Sequence, residues 1–187
     1  MYYEERAIKD RKLVGESFSG DEFFEVVFER CDFTESRFDD GDLEECTFDN
    51  CDLSLVSFNG ARFKGVRFIG CKIQGVDFSK NSSLFFDCTF EGCTLRYCTF
   101  GDLNLKGVEF RESQVEECNF EGCDMRGAII EESSFRGSSF SRCDLRKTKF
   151  KKSEDIGINP VDNKTEGMEI PALEAGNILS YFGIKLK

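Results

Sequence analysis

The chain has 187 residues and a formal net charge of −11, with 21 Phe, only two Pro and neither Trp nor His. This acidity disfavours direct binding to nucleic acid or anionic lipid, both of which require basic surfaces, and it predicts that any partner is basic. Because there is no run of eighteen apolar residues and residues 1–14 are charged and polar, we expect a cytoplasmic protein without a signal peptide or membrane span.

Residues 1–14 are predicted to form an N-terminal cap. Ile8 and Leu13 lie five residues apart, which is the spacing that dominates the rest of the chain. Arg6 and Arg11, however, stand where later repeats carry small residues. A solenoid needs a polar end of this kind, so the pattern is typical of a cap.

Residues 15–152 carry a five-residue repeat. Over residues 18–78, and again over 85–150, every fifth residue is Phe, Leu, Ile, Val or Met, which gives 27 centres, 18 of them Phe. The residue two positions before each centre is small or compact in 24 of the 27 repeats, so a second position is also restricted. The exceptions are Glu16, Asp21 and Leu103.

A period of five fits neither a helix nor a flat strand. On a helix, five residues rotate the apolar position by roughly 140°, and on a strand an odd step places it on the opposite face. We therefore expect the chain to turn every five residues, with the small residue and the centre pointing inward. Successive coils would then stack through backbone hydrogen bonds about 4.8 Å apart, as in other β-solenoids.

The repeat changes phase by two residues at residues 79–84. The segment Lys80–Leu84 is long enough for a bulge but short for a loop. We therefore predict a small phase break and assign no function to it.

Residues 153–187 depart from the repeat and are predicted to form a C-terminal segment with a helix at about residues 171–182. Pro171 can open this helix, and Gly183 can end it. A helix this short is marginal alone and needs a surface to cover. That surface is either the last coil of its own rod or a second molecule, so capping and dimerisation both remain open.

The ten cysteines all occupy the small inward position, which indicates packing. A zinc site would need close Cys pairs or His partners, and the chain has no C-x-x-C pair and no His. Coil spacing would allow disulfides, but parallel Cβ vectors and a reducing compartment favour free thiols. We therefore expect buried free thiols and no metal site. The ten are Cys31, Cys46, Cys51, Cys71, Cys88, Cys93, Cys98, Cys118, Cys123 and Cys143.

The sequence predicts a protein without catalytic residues or a cofactor. It contains no His, no G-x-S-x-G, no P-loop and no dinucleotide-binding fingerprint. Carboxylates are plentiful at the outward positions, but a run of charges is usually a solvated face.

The acidity is concentrated in residues 16–52, which hold 14 Asp and Glu against two Arg, a local net charge of −12. One interpretation is that these charges keep the protein soluble. The other is that carboxylates spaced regularly along a narrow rod imitate the phosphates of a DNA duplex. On the second interpretation the candidate partner-binding residues are Glu22, Glu25, Glu29, Asp32, Asp39, Asp42, Glu45, Asp49 and Asp52.

Several repeats match the A(D/N)LXX consensus of the pentapeptide repeat family, and the chain resembles that family over about 135 residues. The matching runs are Cys31-Asp32-Phe33, Cys51-Asp52-Leu53-Ser54, Cys123-Asp124-Met125-Arg126-Gly127 and Cys143-Asp144-Leu145-Arg146. The resemblance implies an all-β solenoid, a right-handed quadrilateral β-helix with four repeats per coil. A 20-residue coil would stack Glu22 with Asp42 and Glu25 with Glu45, and would align Cys31, Cys51 and Cys71, with Cys93 next.

Within that family the layout is similar to the subgroup of the microcin B17 immunity, Qnr and MfpA proteins. The segments that carry this likeness are Cys71 to Phe78, Asp155 to Pro160, and Ile170 to Ile184. The likeness implies a homodimeric DNA mimic that acts on DNA gyrase or a related type II topoisomerase and protects it from a toxin or quinolone-like poison. The alternative is a pentapeptide-repeat interaction module with no topoisomerase role. The implied dimer-interface residues are Ile178, Leu179, Phe182 and Ile184.

Residues 136–152 depart from a duplex mimic, because they carry seven Lys and Arg against Asp144 alone, a local net charge of +6. Two explanations remain open. Acidic residues after position 152 fold back and neutralise the patch, or the patch engages a ligand of its own.

Overall fold

The chain winds as a parallel β-solenoid with four sides per coil. The computed structural model describes residues 1–82 and 86–185. The strands are β1 (Tyr2–Glu4), β2 (Ala7–Lys9), β3 (Glu22–Phe24), β4 (Val27–Glu29), β5 (Asp42–Glu44), β6 (Thr47–Asp49), β7 (Arg62–Ile69), β8 (Lys72–Gln74), β9 (Phe86–Glu91), β10 (Thr94–Arg96), β11 (Thr99–Gly101), β12 (Glu109–Arg111), β13 (Gln114–Glu116), β14 (Asn119–Glu121), β15 (Ile129–Glu131), β16 (Ser139–Ser141) and β17 (Lys149–Lys151). Two 3₁₀ turns, Phe78–Lys80 and Ala172–Glu174, and helix α1 (Ala175–Ser180) complete the described elements.

The register shows four repeats per coil. Glu22 pairs with Asp42, and Phe28 pairs with Phe48, so equivalent residues lie 20 positions apart. We name the sides after the centres that they hold in the second coil: side A holds Phe23, side B Phe28, side C Phe33 and side D Phe38. The predicted right-handed quadrilateral β-helix is confirmed.

The chain turns at the residue two positions after each centre, and that residue has a positive φ in coil after coil. Glu25, Glu45 and Glu112, for example, have φ values of 53°, 52° and 49°. This left-handed conformation costs roughly 1–2 kcal/mol for a residue with a side chain. The cost is offset because the corner N–H reaches the next coil, as when Glu25 N donates to Glu44 O at 2.9 Å.

The centres fill the interior with stacked aromatic rings. The ring of Phe100 lies between those of Phe78 and Phe120, with centroid distances of 4.9 and 4.7 Å. Rings from neighbouring sides meet edge to face, as Phe100 and Phe110 do at 80°. Both arrangements are favourable for aromatic pairs, which explains why one flat side chain recurs at the centres.

The ten cysteines are buried and free, as their inward positions predict. Cys51 Sγ accepts from Cys31 N, which is consistent with the predicted stacking of these two residues. Most thiols donate to a backbone carbonyl of the coil before: Cys71 Sγ lies 3.2 Å from Phe48 O. Ser133 and Thr148 use their hydroxyls in the same way. The inward position therefore takes small residues, and where these are Cys, Ser or Thr the side chain can also donate a hydrogen bond to the coil before.

The phase break takes place around the 3₁₀ turn at Phe78–Lys80. Residues 83–85 lie outside the described part of the chain, so the predicted centre at Phe85 and the end of the Lys80–Leu84 segment do too. Phe86 is buried under Phe63, with ring centroids 5.4 Å apart. The coil at the break is longer, since Phe63 pairs with Phe86 and Phe68 with Phe90.

Both ends of the rod continue the coil geometry. Residues 1–14, predicted as a cap, already contain β1 and β2, which pair with β3 and β4. At the other end, pairing extends past residue 152 as far as the bridge between Lys149 and Glu169. The predicted C-terminal helix is confirmed as the short α1. Gly183, with φ of 72°, ends it, and Ile184 N donates to Leu179 O across the turn.

No helix in residues 1–82 and 86–185 is both long and apolar enough to cross a membrane.

Candidate partner-binding surface

The nine candidate carboxylates form a belt around the first coils. Six of them lie on sides A and B and on the corner between these sides: Glu22, Glu25, Glu29, Asp42, Glu45 and Asp49. Asp32 and Asp52 lie on side C, and Asp39 lies on side D. The fold therefore brings two thirds of the set together.

The three carboxylates on sides C and D hold the backbone. Asp32 Oδ1 accepts from Thr34 N at 3.0 Å and from Thr34 Oγ1 at 2.7 Å. Asp52 does the same with Ser54, and Asp39 accepts from Asn59 N at 3.0 Å. These bonds are of the kind that Asp makes in turns, so structure alone accounts for the three residues.

The carboxylates on sides A and B form columns of like charge. Glu22 stands beside Asp42 and Glu29 beside Asp49 in the paired strands, as the 20-residue spacing predicts. Neighbouring strands lie about 4.8 Å apart. At that distance two like charges repel by about 1 kcal/mol in water. These columns therefore oppose folding rather than assist it.

Cations from neighbouring coils pair with part of each column. Arg62 lies 2.6 Å from Asp42, Lys9 lies 2.5 Å from Glu29, and Lys64 pairs with Glu44. Hydrogen bonds from Lys9 and then Arg30 lower the pKa of Glu29. The sequence-based reasoning missed these pairs, although each joins residues 20 apart and the coil arithmetic was sufficient to find them.

Four carboxylates of the set on sides A and B have no ion pair within the described residues. They are Glu22, Glu25, Glu45 and Asp49, and we call them the acidic edge. The pKa of Lys64 is raised, mainly by its hydrogen bond to Glu44, and Glu45 of the acidic edge contributes to this shift through its charge. The acidic edge is therefore the part of the belt most available to a basic partner.

A groove at the phase break adjoins the acidic edge, and the sequence-based reasoning also missed this groove. The groove has a volume of about 320 Å³ and begins beside Glu45. Asp87, Glu91 and Glu109 line it together with two Arg. The signal in the sequence was weak because these acidic residues lie beyond residue 52, where basic residues are interspersed.

The C-terminal candidates divide into an anchor and an exposed group. Ile178 packs against the core, and Leu179 is half-buried. Phe182 and Ile184 are 54% and 49% exposed. Leu173 and Tyr181, which the sequence-based reasoning omitted, are 96% and 48% exposed.

Glu174 ties this C-terminal end to the rod. Its Oε2 accepts from Ile156 N at 2.9 Å and from Asn177 Nδ2 at 2.8 Å. The exposed group thus sits at a defined place at the end of the rod.

The described residues contain no group of three or more His, Cys, Asp or Glu side chains arranged to hold a metal ion. Cys46 and Cys88 are also poorly suited to ligation, because burial raises the pKa of Cys46 to about 11 and that of Cys88 well above its ordinary value.

Comparison with known proteins identifies the repeat. A sequence model described as a pentapeptide repeat region matches residues 21–100 and 83–157. No curated protein sequence gives a significant match.

A solved structure shares the fold. A trypsin-treated variant of QnrB1, a plasmid-mediated fluoroquinolone resistance protein, superposes with a TM-score of 0.77 at 17% identity, covering 100% of this chain and 98% of that one. HetL, a pentapeptide repeat protein involved in heterocyst differentiation regulation in the cyanobacterium Nostoc, gives a TM-score of 0.45 at 11% identity, with 89% and 85% coverage. At 17% identity the likeness to QnrB1 concerns the fold alone.

Proposed function

The chain belongs to the pentapeptide repeat family, and we propose that it is a DNA mimic that binds DNA gyrase or a related type II topoisomerase. It acts as a homodimer and protects the enzyme from a toxin or quinolone-like poison, with inhibition of the enzyme as the accompanying effect. No step of this activity requires a catalytic residue or a cofactor of its own. The acidic edge carries the proposal.

The density of negative charge supports mimicry of a duplex. At about 4.8 Å per coil of 20 residues, residues 16–52 occupy roughly 9 Å of the rod. A DNA duplex of that length carries roughly five negative charges. The segment carries a net charge of −12, and adding the paired cations Lys9, Arg62, Lys64 and Lys72 still leaves −8. A basic surface that binds duplex DNA would therefore find at least as much charge on this rod.

The electrostatic repulsion within the carboxylate columns is a second observation that supports a basic partner. Carboxylates stacked at the strand spacing repel one another and contribute nothing to the core. Solubility needs only dispersed charge, and it does not require like charges in register. A partner with a basic surface would relieve the repulsion on binding, which makes the columns favourable in the complex.

The homodimer is proposed from the exposed C-terminal group. Leu173, Tyr181, Phe182 and Ile184 present apolar surface at the end of a rod whose other apolar side chains are mostly buried. Joining two rods at this end would cover that surface and place one acidic edge toward each far end of the dimer.

The choice of poison for a first test follows from the solved QnrB1 structure, which is described as that of a fluoroquinolone resistance protein. A quinolone is therefore the natural first compound, and a peptide toxin is the second.

Charge reversal at the acidic edge tests the proposal. We expect the double variant Glu25→Lys with Glu45→Lys to raise the concentration needed to inhibit gyrase supercoiling about ten-fold, which corresponds to about 1.4 kcal/mol of binding free energy. The matched control is Glu112→Lys with Glu117→Lys. These residues have the same corner geometry, with φ of 49° and 50°, and the same change of net charge.

The control separates a site from a general charge effect. Equal losses of inhibition in both double variants would contradict the assignment to the acidic edge. Wild-type protein without any effect on the enzyme would favour the alternative, a pentapeptide-repeat interaction module with no topoisomerase role. Thermal unfolding of both variants shows whether the rod remains folded.

A further inference from the structure

The basic residues at the C-terminal end of the rod line a groove that the proposed function does not use. It lies on side A of the last coils and has a volume of about 440 Å³. That volume is within the range of small-molecule sites. We call it the basic groove; it is lined by Lys106, Arg126, Gly127, Arg146 and Lys147.

Most of the predicted basic patch is neutralised by carboxylates. Arg136 lies 2.7 Å from Glu116, Lys152 lies 2.7 Å from Glu132, and Arg142 pairs with Glu121. Most of these carboxylates belong to the preceding coil, and among those after residue 152 Glu169 lies 3.6 Å from Lys149. Within the described residues, the lysines of the patch without an ion pair are Lys147 and Lys151. Lys147 lies in the basic groove.

Two arginines of the basic groove are held in the same orientation on successive coils. Arg126 donates from Nε and Nη2 to Asp124 at 2.8 and 2.7 Å. Arg146 donates from Nε and Nη2 to Asp144 at 2.8 and 2.6 Å. A guanidinium has five N–H donors, and this fork engages two of them. Each arginine therefore keeps its Nη1 edge for another acceptor, and little side-chain entropy remains to be lost on binding.

The charges around the groove favour an anion. Lys106 lies 3.2 Å from Asp124, and Arg126 also lies 3.8 Å from Asp144. The hydrogen bonds from Arg126 lower the pKa of Asp124, so this carboxylate stays ionised and keeps the arginine fixed. Lys164 and Glu166 follow in the next coil and offset each other. Counting the four lining cations against Asp124 and Asp144 leaves a net charge of +2.

A glycine keeps the middle of the groove open. Gly127 forms the corner with φ of 70°, and a Cβ placed there would meet nothing within 4 Å. The next corner in the same column is Lys147, which also lines the groove. An acceptor can thus approach the two guanidinium edges from outside the rod.

We propose that the basic groove binds an oligophosphate group, either as a free inorganic chain or as the phosphate chain of a nucleotide. A tetrahedral phosphate can accept from guanidinium groups on two coils and from an ammonium group at once, whereas a planar carboxylate cannot turn toward all three. The guanidinium groups repeat about every 4.8 Å along the rod, so two linked phosphates match their spacing better than a single phosphate does. The lining has no aromatic side chain on which a base would stack, so recognition rests on the phosphates.

Titration with inorganic tripolyphosphate and with ATP tests this site. Binding is measured by calorimetry at fixed ionic strength near physiological, because exposed charges are screened by salt. We expect both ligands to bind, and Lys106→Gln with Lys147→Gln to weaken both about ten-fold. This double variant leaves both Asp–Arg forks in place. The matched control, Lys149→Gln with Lys151→Gln on side B, removes the same charge and should bind like wild type.

Each other outcome contradicts the site. No binding of tripolyphosphate or ATP overturns it, and so does an equal loss in the two double variants. Binding of ATP alone would show recognition of the nucleoside rather than of the phosphates. Tighter binding of a duplex oligonucleotide, with the same dependence on Lys106 and Lys147, would assign the groove to nucleic acid instead. These results are independent of gyrase inhibition, so they do not depend on the proposed function.

Discussion

Two asparagines at equivalent positions of side A should respond to the same substitution with opposite signs. Asn81 is 6% exposed, and within the described residues neither its Nδ2 nor its Oδ1 has a hydrogen-bond partner. Asn163 is 8% exposed, but its Oδ1 accepts from Cys143 N at 2.8 Å. Its Nδ2 donates to Phe140 O at 3.0 Å and to Asn159 O at 2.9 Å.

The expected magnitudes follow from these bonds. A buried polar group without a partner costs about 1–3 kcal/mol, so removing it stabilises the folded protein by that amount. Part of this gain is offset because Ala buries less surface than Asn. We therefore expect Asn81→Ala to raise the free energy of unfolding by about 1 kcal/mol. Asn163→Ala strands the N–H of Cys143 and should lower the free energy of unfolding by about 1–3 kcal/mol.

Urea and thermal unfolding of the two variants measure the contrast. For a chain of this length each kcal/mol shifts the Tm by roughly 2–4 °C. The Tm should therefore rise for Asn81→Ala and fall for Asn163→Ala. A fall of similar size in both variants would contradict this expectation, because it would mean that the Asn81 amide makes stabilising hydrogen bonds.

Two further predictions concern the thiols and the C-terminal end. Burial raises the pKa of Cys46 to about 11 from an ordinary value of 9.0, so the unfolded chain releases this proton first as the pH rises. The contribution of Cys46 to the free energy of unfolding should be constant below pH 9 and fall between pH 9 and 11. Cys46→Ala should therefore flatten the fall of the unfolding free energy in that window; an unchanged slope would contradict it. Leu173→Asp with Phe182→Asp should convert a dimer to a monomer in analytical ultracentrifugation without lowering the Tm, since both side chains are exposed. A dimer that survives would place the interface elsewhere.

The sequence was sufficient to predict most of the fold because its strongest pattern is a packing pattern. The Phe centres and the small residues beside them are inward positions, and the 20-residue coil predicts the pairing of Glu22 with Asp42. The pattern was ambiguous at the phase break, since Phe85 is the residue that continues the five-residue spacing from Phe90, whereas the structure places the adjacent Phe86 under Phe63. It also disappears after Phe150, although Ile156 and Ile158 remain buried.

The candidate site was less predictable because outward positions are restricted by neighbours rather than by the core. A list of carboxylates does not show that Asp32 and Asp39 bind backbone groups, or that Lys9 and Arg62 pair with the columns. These contacts depend on which side chains are long enough to reach the neighbouring coil, which a list of residue types does not show. The basic groove was unpredictable for the same reason, since its two Asp–Arg pairs form one site only because they lie beside each other on successive coils.

A gyrase supercoiling assay with purified protein, with and without a quinolone, is the decisive test of topoisomerase binding and protection. We expect increasing protein first to restore supercoiling in the presence of the quinolone and then, at higher concentration, to inhibit the enzyme. Supercoiling that is neither restored nor inhibited over the whole titration would contradict this expectation.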